Sequence, residues 1–201
     1  MLRVGLTGGL ATGKSFVGKC LSDLGCHLLK ADDLGHQVMQ PGGSAFAGVV
    51  EAFGEGVLDD TGHIDRRALG SLVFGQPDAL EKLNKLVHPA VIALEEEWMH
   101  GIAARHPRAI VVVEAAILIE TGSYQRFDKL VLTVCSDEQQ IERAIKRDGL
   151  SRAEVLERLQ RQMPLEEKRK YADYVIDTSG EKEMTLVQSS RLYAVLRGLP
   201  Q

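Results

Sequence analysis

The chain is 201 residues long, 44% hydrophobic and 26% charged, which suits one globular domain with a small insertion and excludes a disordered chain. A formal net charge of −4 gives no global attraction to nucleic acid or to an acidic membrane surface, so the expected partner is a small molecule. Its three cysteines, Cys20, Cys26 and Cys135, lack C-x-x-C spacing, argue against a disulfide framework or zinc site, and read as small buried hydrophobes.

Met1-Leu2-Arg3 leads straight into a strand expected over residues 2–6, with no signal-peptide pattern. The most apolar stretch, Ala109 to Ile119, is interrupted by Glu114 and is too short to span a bilayer, so a cytoplasmic location is expected. The first strand runs into Gly8-Gly9-Leu10-Ala11-Thr12-Gly13-Lys14-Ser15, a full match to G-x-x-x-x-G-K-[ST]. Phe16, Val17, Cys20, Leu21 and Leu24 then follow at helical spacing. Strand, glycine loop and helix in that order turn backbone N–H groups toward a phosphate chain. Lys14 would reach the outer phosphates and the Ser15 hydroxyl would hold Mg²⁺. This is a nucleotide phosphate site.

Gly25 stops the first helix, and a second strand over 27–31 ends in Ala31-Asp32-Asp33. Ligands of open α/β sheets bind at the carboxyl ends of strands, which makes Asp32 a candidate general base or holder of a metal-bound water. Asp33 is expected to cap the helix that carries Leu34, Val38 and Met39, before Pro41-Gly42-Gly43 breaks it. Residues 44–106 are helical in pattern without βαβ rhythm and read as an acceptor-binding insertion. Helices are expected over 45–53, from Asp65 to about Phe74, from Pro77, and again from His88-Pro89 through Trp98. Arg66, Arg67 and His88 are its groups suited to grip a substrate phosphate.

A continuous apolar strand over 109–114 suits burial on both faces and ends in Glu114, where a carboxylate would sit near a metal. Glu120 follows at the mouth of the sheet. After a strand over 129–135, Ser136-Asp137 caps a helix with Ile141, Ala144 and Ile145 on one side. The densest positive charge comes next: Arg143, Lys146, Arg147, Arg152, Arg158, Arg161, Lys168, Arg169 and Lys170, interleaved with glutamates. Arg147, beside Asp148-Gly149, is the favoured arginine for a lid that neutralises the γ-phosphate and excludes water. A last strand over 174–177 delivers Thr178-Ser179-Gly180 toward the adenine, and a helix from 182 to 197 closes the chain.

Taken together these positions resemble the dephospho-coenzyme A kinase family over nearly the whole length. The resemblance rests on Gly5-Leu6-Thr7-Gly8-Gly9 with the phosphate loop, Ala31-Asp32, Pro41-Gly42, Asp65-Arg66-Arg67-Ala68-Leu69 and Leu86-Val87-His88-Pro89. Further matches are Arg143, Arg147-Asp148-Gly149-Leu150-Ser151, Gln162 and Ala172-Asp173-Tyr174-Val175-Ile176-Asp177. Departures are Lys30-Ala31-Asp32 for Asp-Ala-Asp, Glu114-Ala115-Ala116-Ile117-Leu118-Ile119-Glu120 for D-x-P-L-L-x-E, and Thr178-Ser179-Gly180 for an Asn-containing turn. Ala11-Thr12 stands where Gly-Ser is more frequent, which is tolerated provided Ala11 avoids a glycine-only conformation.

The resemblance implies an α/β, P-loop kinase-like three-layer fold with a five-stranded parallel sheet. The core would span about 1–43, 107–145 and 172–201, with a helical substrate subdomain over about 44–106 and a lid over about 146–171. It implies transfer of phosphate from ATP, with Mg²⁺, to the ribose 3′-hydroxyl of dephospho-coenzyme A, the last step of coenzyme A biosynthesis. By the same resemblance Asp32, Lys14 and Arg147 are catalytic. ATP contacts come from Gly8, Gly9, Leu10, Ala11, Thr12, Gly13, Lys14, Ser15, Arg143, Arg147, Thr178 and Gly180. Acceptor contacts come from Thr7, Asp32, Arg66, His88, Leu118 and Glu120, and metal contacts from Ser15 and Asp32. A monomer or weak homo-oligomer is expected. The alternative in the same superfamily is a kinase for a nucleoside monophosphate or other small metabolite. A guanine-selective switch would carry N-K-x-D, and Asn84-Lys85-Leu86-Val87 lacks the acid.

Overall fold

The computed structural model describes residues 1–73 and 75–200. In chain order the regular elements are β1 (Leu2–Gly8), α1 (Lys14–Asp23), β2 (His27–Lys30), α2 (Ala31–Val38), α3 (Phe46–Phe53), α4 (Arg66–Val73) and α5 (Pro77–Arg105). There follow β3 (Ile110–Glu114), β4 (Lys129–Val134), α6 (Asp137–Asp148), α7 (Arg152–Gln160), α8 (Leu165–Arg169), β5 (Tyr174–Asp177) and α9 (Lys182–Gly198). Short 3₁₀ turns cover Glu55–Val57 and Ser123–Arg126.

The five strands form one parallel sheet in the order β2-β3-β1-β4-β5. β1 is central, and the alternation of its side chains divides the core. Leu2, Val4 and Leu6 pack with Val17 and Leu21 of α1 and Leu192 and Leu196 of α9. The opposite face carries Gly5, where a methyl group would stand 3.0 Å from Leu118, Leu130 and Phe127. Right-handed crossovers send β1 to β2 in one direction along the sheet and β3 to β4 in the other, so the two connections leave on opposite faces. The carboxyl ends of the neighbours β1 and β3 are therefore the switch point at which such sheets bind ligands.

The chain divides into two compact units, one built from Met1–Lys30 with the segment from Ile102 onward, the other from Ala31–Gly101. The first is the sheet unit. The second is helical: Val38, Ala45, Val49, Val57 and Leu69 form its buried centre, closed by Leu83, Leu86, Val87, Val91 and Leu94 of α5. All three cysteines are buried and unpaired, and burial pushes the Cys26 thiol up to about 12, as expected of inert hydrophobes.

Two expectations are corrected here. α2 begins at Ala31 directly after β2, so Asp33 lies inside the first turn and does not cap it. Asp32 and Asp33 instead meet the positive end of the helix dipole. His88-Pro89 does not start a helix: Pro89 lies within the continuous α5. A proline there removes one backbone hydrogen bond, and the helix persists because Leu83, Leu86 and Val87 before it and Ala90, Val91 and Leu94 after it pack on one apolar cluster. Pro77 does open α5. The expected end of the helix at Phe74 lies outside the described residues.

Candidate active site

The glycine loop is shaped by buried hydroxyls behind it. Thr12 is fully buried; its Oγ1 donates to the Gly9 carbonyl at 3.0 Å and lies 2.8 Å from Thr133 Oγ1 on β4. A Cβ at Gly8 would come within 2.3 Å of Thr133 Oγ1 and 2.8 Å of its carbonyl, so no other residue fits. Gly13 leaves the loop at φ 82° and hands the chain to α1, whose first N–H groups have no acceptor within the helix. Those donors and the positive helix end form an anion site. Ala11 takes the left-handed conformation, at φ 54°, a region unfavourable for alanine but not closed to it, so the condition set on it is met only at a cost. Such a conformation costs a non-glycine residue about 1–2 kcal/mol.

Lys14 folds back over the loop, its Nζ donating to the Gly9 carbonyl at 2.8 Å and to that of Gly8 at 3.4 Å. Ser15 Oγ donates to Glu114 Oε1 at 2.6 Å, across the switch point from the end of β1 to the end of β3. The other oxygen, Glu114 Oε2, is buried without a hydrogen-bond partner, and Gly18 on α1 makes room for it: a Cβ there would stand 3.1 Å away. A hydroxyl beside an unsatisfied carboxylate oxygen at a phosphate loop fits a small divalent cation, which takes one or two carboxylates plus substrate phosphates. The resemblance had named Asp32 alongside Ser15; the geometry brings Glu114 to Ser15.

On the β5 side, Arg143 donates to Thr178 Oγ1 at 3.1 Å and to its carbonyl at 2.7 Å. The Thr178 hydroxyl reaches the Thr12 carbonyl at 2.9 Å, so this arginine braces the loop from behind through Thr178. Gly180 is exposed just beyond. Arg147, in the last turn of α6, makes a two-pronged pair with Asp148 at 2.7 and 2.8 Å and must leave it to meet a phosphate.

Several acceptor candidates are placed otherwise than expected. Thr7 and Leu118 are buried: Thr7 Oγ1 donates to the Ala116 carbonyl at 3.2 Å, and Leu118 lies in the core beneath Gly5. Glu120 pairs with Lys168 at 2.8 Å and accepts the Met163 N–H at 3.1 Å. Thr7 and Leu118 thus pack inside the sheet unit, whereas Glu120, though paired with Lys168, stands at an exposed position. In the helical unit Asp32 and Arg66 are exposed, the latter at the start of α4, where Asp65 accepts the Arg67 N–H at 2.7 Å. His88 is half-buried on α5, and desolvation lowers its pKa, which favours a neutral ring over a phosphate-gripping cation.

Thr133, Gln140 and Lys168 escaped the sequence reading as site residues. Gln140 Oε1 is buried without a partner and lies close against Gly9: a Cβ there would stand 2.4 Å from it, so the glutamine would have to move to admit a side chain. The only sequence signals were a polar residue on the inner face of α6 and a lysine within a charged run.

A parallel sheet with a strand–glycine loop–helix unit, a lysine over the loop and a serine–carboxylate pair at the switch point define a P-loop kinase. The family model for dephospho-CoA kinase matches residues 2–183. The dephospho-CoA kinase of Aquifex aeolicus is 40% identical, the match covering 98% of each chain. A solved structure of TT1252 from Thermus thermophilus superposes with a TM-score of 0.84 at 34% identity, over 100% of this chain and 98% of that one. The dephospho-CoA kinase structure from Campylobacter jejuni shares the fold, with a TM-score of 0.64 at 23% identity over 96% of both chains. The chain belongs to the dephospho-CoA kinase family, and is an ATP-using kinase.

Proposed function

We propose that this protein transfers the γ-phosphoryl group of ATP to the ribose 3′-hydroxyl of dephospho-coenzyme A, giving coenzyme A and ADP. The observation that carries this reading is the Ser15–Glu114 pair at the phosphate loop, in a chain of this family. Ser15 and Glu114 would hold Mg²⁺, which when bound neutralises charge on the β- and γ-phosphates. Lys14 turns from the Gly8 and Gly9 carbonyls to the outer phosphates. The backbone from Gly8 to Ser15 fixes the phosphate chain, and Arg143 with Thr178 and Gly180 borders the base.

Asp32 takes or orients the 3′-hydroxyl proton as the hydroxyl oxygen bonds to the γ-phosphorus and the bond to ADP breaks. Arg66 and His88 serve the acceptor, the latter as a neutral hydrogen-bonding group. The segment 146–171 acts as the lid, with Arg147 exchanging Asp148 for phosphate when it seats. Because the transition state is loose, positioning and electrostatics carry most of the acceleration. We assign the protein to the cytoplasm as a monomer or weak homo-oligomer; among the described residues no helix is long and apolar enough to cross a membrane.

A coupled assay for ADP with ATP and a panel of acceptors tests the reading. Turnover with dephospho-coenzyme A and none with AMP or shikimate is expected. Turnover with AMP or shikimate and none with dephospho-coenzyme A would replace it with a nucleotide or metabolite kinase.

A further inference from the structure

Lys168, on α8, has no exposed surface, the only lysine or arginine so buried among the described residues. A buried ammonium is costly unless paired and hydrogen-bonded, and an apolar side chain of similar volume would avoid that cost. Its surroundings show what the charge does. Nζ donates to the Ala116 carbonyl at 2.8 Å and lies 2.8 Å from Glu120 Oε1. That same Oε1 accepts the Met163 N–H at 3.1 Å, and the Ala116 carbonyl also accepts Thr7 Oγ1. At the other end of this stretch, Gln162 Oε1 accepts the Leu10 N–H at 2.9 Å.

Residues 162–168 are thus fastened to the phosphate loop through Gln162 and to the connection after β3 through Met163 and Lys168. That connection starts at Glu114, the partner of Ser15. The other cations nearby differ in kind: Arg161, Arg169 and Lys170 make exposed pairs with Glu157, Glu166 and Glu167. Such pairs contribute little and fix no register between elements.

We infer that Lys168 is a positioning residue for phosphoryl transfer: it locks the lid stretch 162–168 to the connection after β3, so that the lid's seat on the phosphate loop and the placement of Glu114 are set together. The inference rests on the kinase reading above. Its consequence is a partition between acceptors. With the lid locked, the acceptor hydroxyl is the nucleophile; with it loosened, water attacks the γ-phosphorus, the bond to ADP breaks, and phosphate, ADP and a proton are released.

The test is Lys168→Met in the full chain with saturating ATP and dephospho-coenzyme A, following coenzyme A and inorganic phosphate separately. Transfer should fall by about 10–100-fold, the scale of small misplacements of reacting groups. Phosphate released per coenzyme A formed should rise at least about fivefold as water gains access, with KM for ATP nearly unchanged. Lys168→Arg, which keeps the donors, should restore most of the partition. Glu120→Gln should shift it the same way by less, and decides the matter if Lys168→Met does not fold. A lowered melting temperature with an unchanged partition in the folded enzyme would make Lys168 merely structural and overturn the inference. If the wild-type chain phosphorylates another acceptor and forms no coenzyme A, the substrate assignment fails, while the partition measured with that acceptor still reads the role of Lys168.

Discussion

In the sheet unit the groups around the phosphate loop hold one another: Thr12 with Thr133, Arg143 with Thr178, Ser15 with Glu114. In the helical unit Asp32, Arg66 and Arg67 stand exposed, and what is buried there is an apolar cluster together with Glu95 of α5. The difference follows from what each unit is proposed to bind. A phosphate chain is compact, highly charged and best met by donors fixed in advance, since reorganising dipoles during reaction costs rate. An acceptor reached by long, exposed side chains is ordered when it binds. Substitutions in the sheet unit should therefore disturb nucleotide binding, metal affinity and stability together, and those of the exposed Asp32, Arg66 and Arg67 in the helical unit should disturb turnover with little effect on stability.

The largest effect expected on this basis is that of Asp32→Asn, which should lower kcat by about 10²–10⁴-fold, the range of general-base help, with ATP affinity nearly intact. Unchanged turnover would remove Asp32 from the mechanism. Lys14→Ala should lower kcat by about 10²–10³-fold, as for loss of one stabilising donor, and weaken ATP binding as well. If calorimetry found ATP binding untouched, the phosphate-loop lysine would be misassigned and the contrast between the units would lose one side. Glu114→Gln should raise the Mg²⁺ concentration for half-maximal rate by about 10–100-fold. An unshifted magnesium titration would return the metal to Asp32.

How much of this was legible in the sequence depends on how local its cause is. The G-x-x-x-x-G-K-[ST] pattern marks the loop, although Gly8 is also demanded by Thr133 on the remote β4, and the strands announce themselves by apolar runs, so both could be read directly. Asp33 and Pro89 were misread because local rules for caps and prolines yielded to a helix starting at once after β2 and to an apolar seam along α5. Leu118 and Glu120 were assigned to the acceptor by resemblance. Their partners, the core beneath Gly5 and Lys168, come from remote parts of the chain and leave no mark on spacing. Ala11 shows the converse: its sequence departure was visible, and its left-handed backbone was not.

The smaller effects probe stability in each unit. Desolvation keeps the folded pKa of His88 below the ordinary 6.5, so the unfolded chain binds the proton first as pH falls. His88 therefore contributes stability that is fully present above pH 6.5 and is lost as pH falls below it through the lower folded value. Urea unfolding at pH 7.5 and 5.5 should show a smaller acid loss for His88→Gln than for the wild type; an equal loss would count against a buried neutral ring. Ala11→Gly removes about 1–2 kcal/mol of left-handed strain and adds about 0.4–1 kcal/mol of unfolded-state entropy. The net should raise the melting temperature by up to about 6 °C, on a scale of roughly 2–4 °C per kcal/mol at this size. A fall would mean that the loop gains rigidity from the alanine.

The central claim is the destination of the γ-phosphoryl group. With γ-labelled ATP and dephospho-coenzyme A, the label should appear in coenzyme A, one per molecule formed, and be removed by a phosphatase specific for ribose 3′-phosphates. Label recovered only as inorganic phosphate, or at any other position of the acceptor, would contradict it.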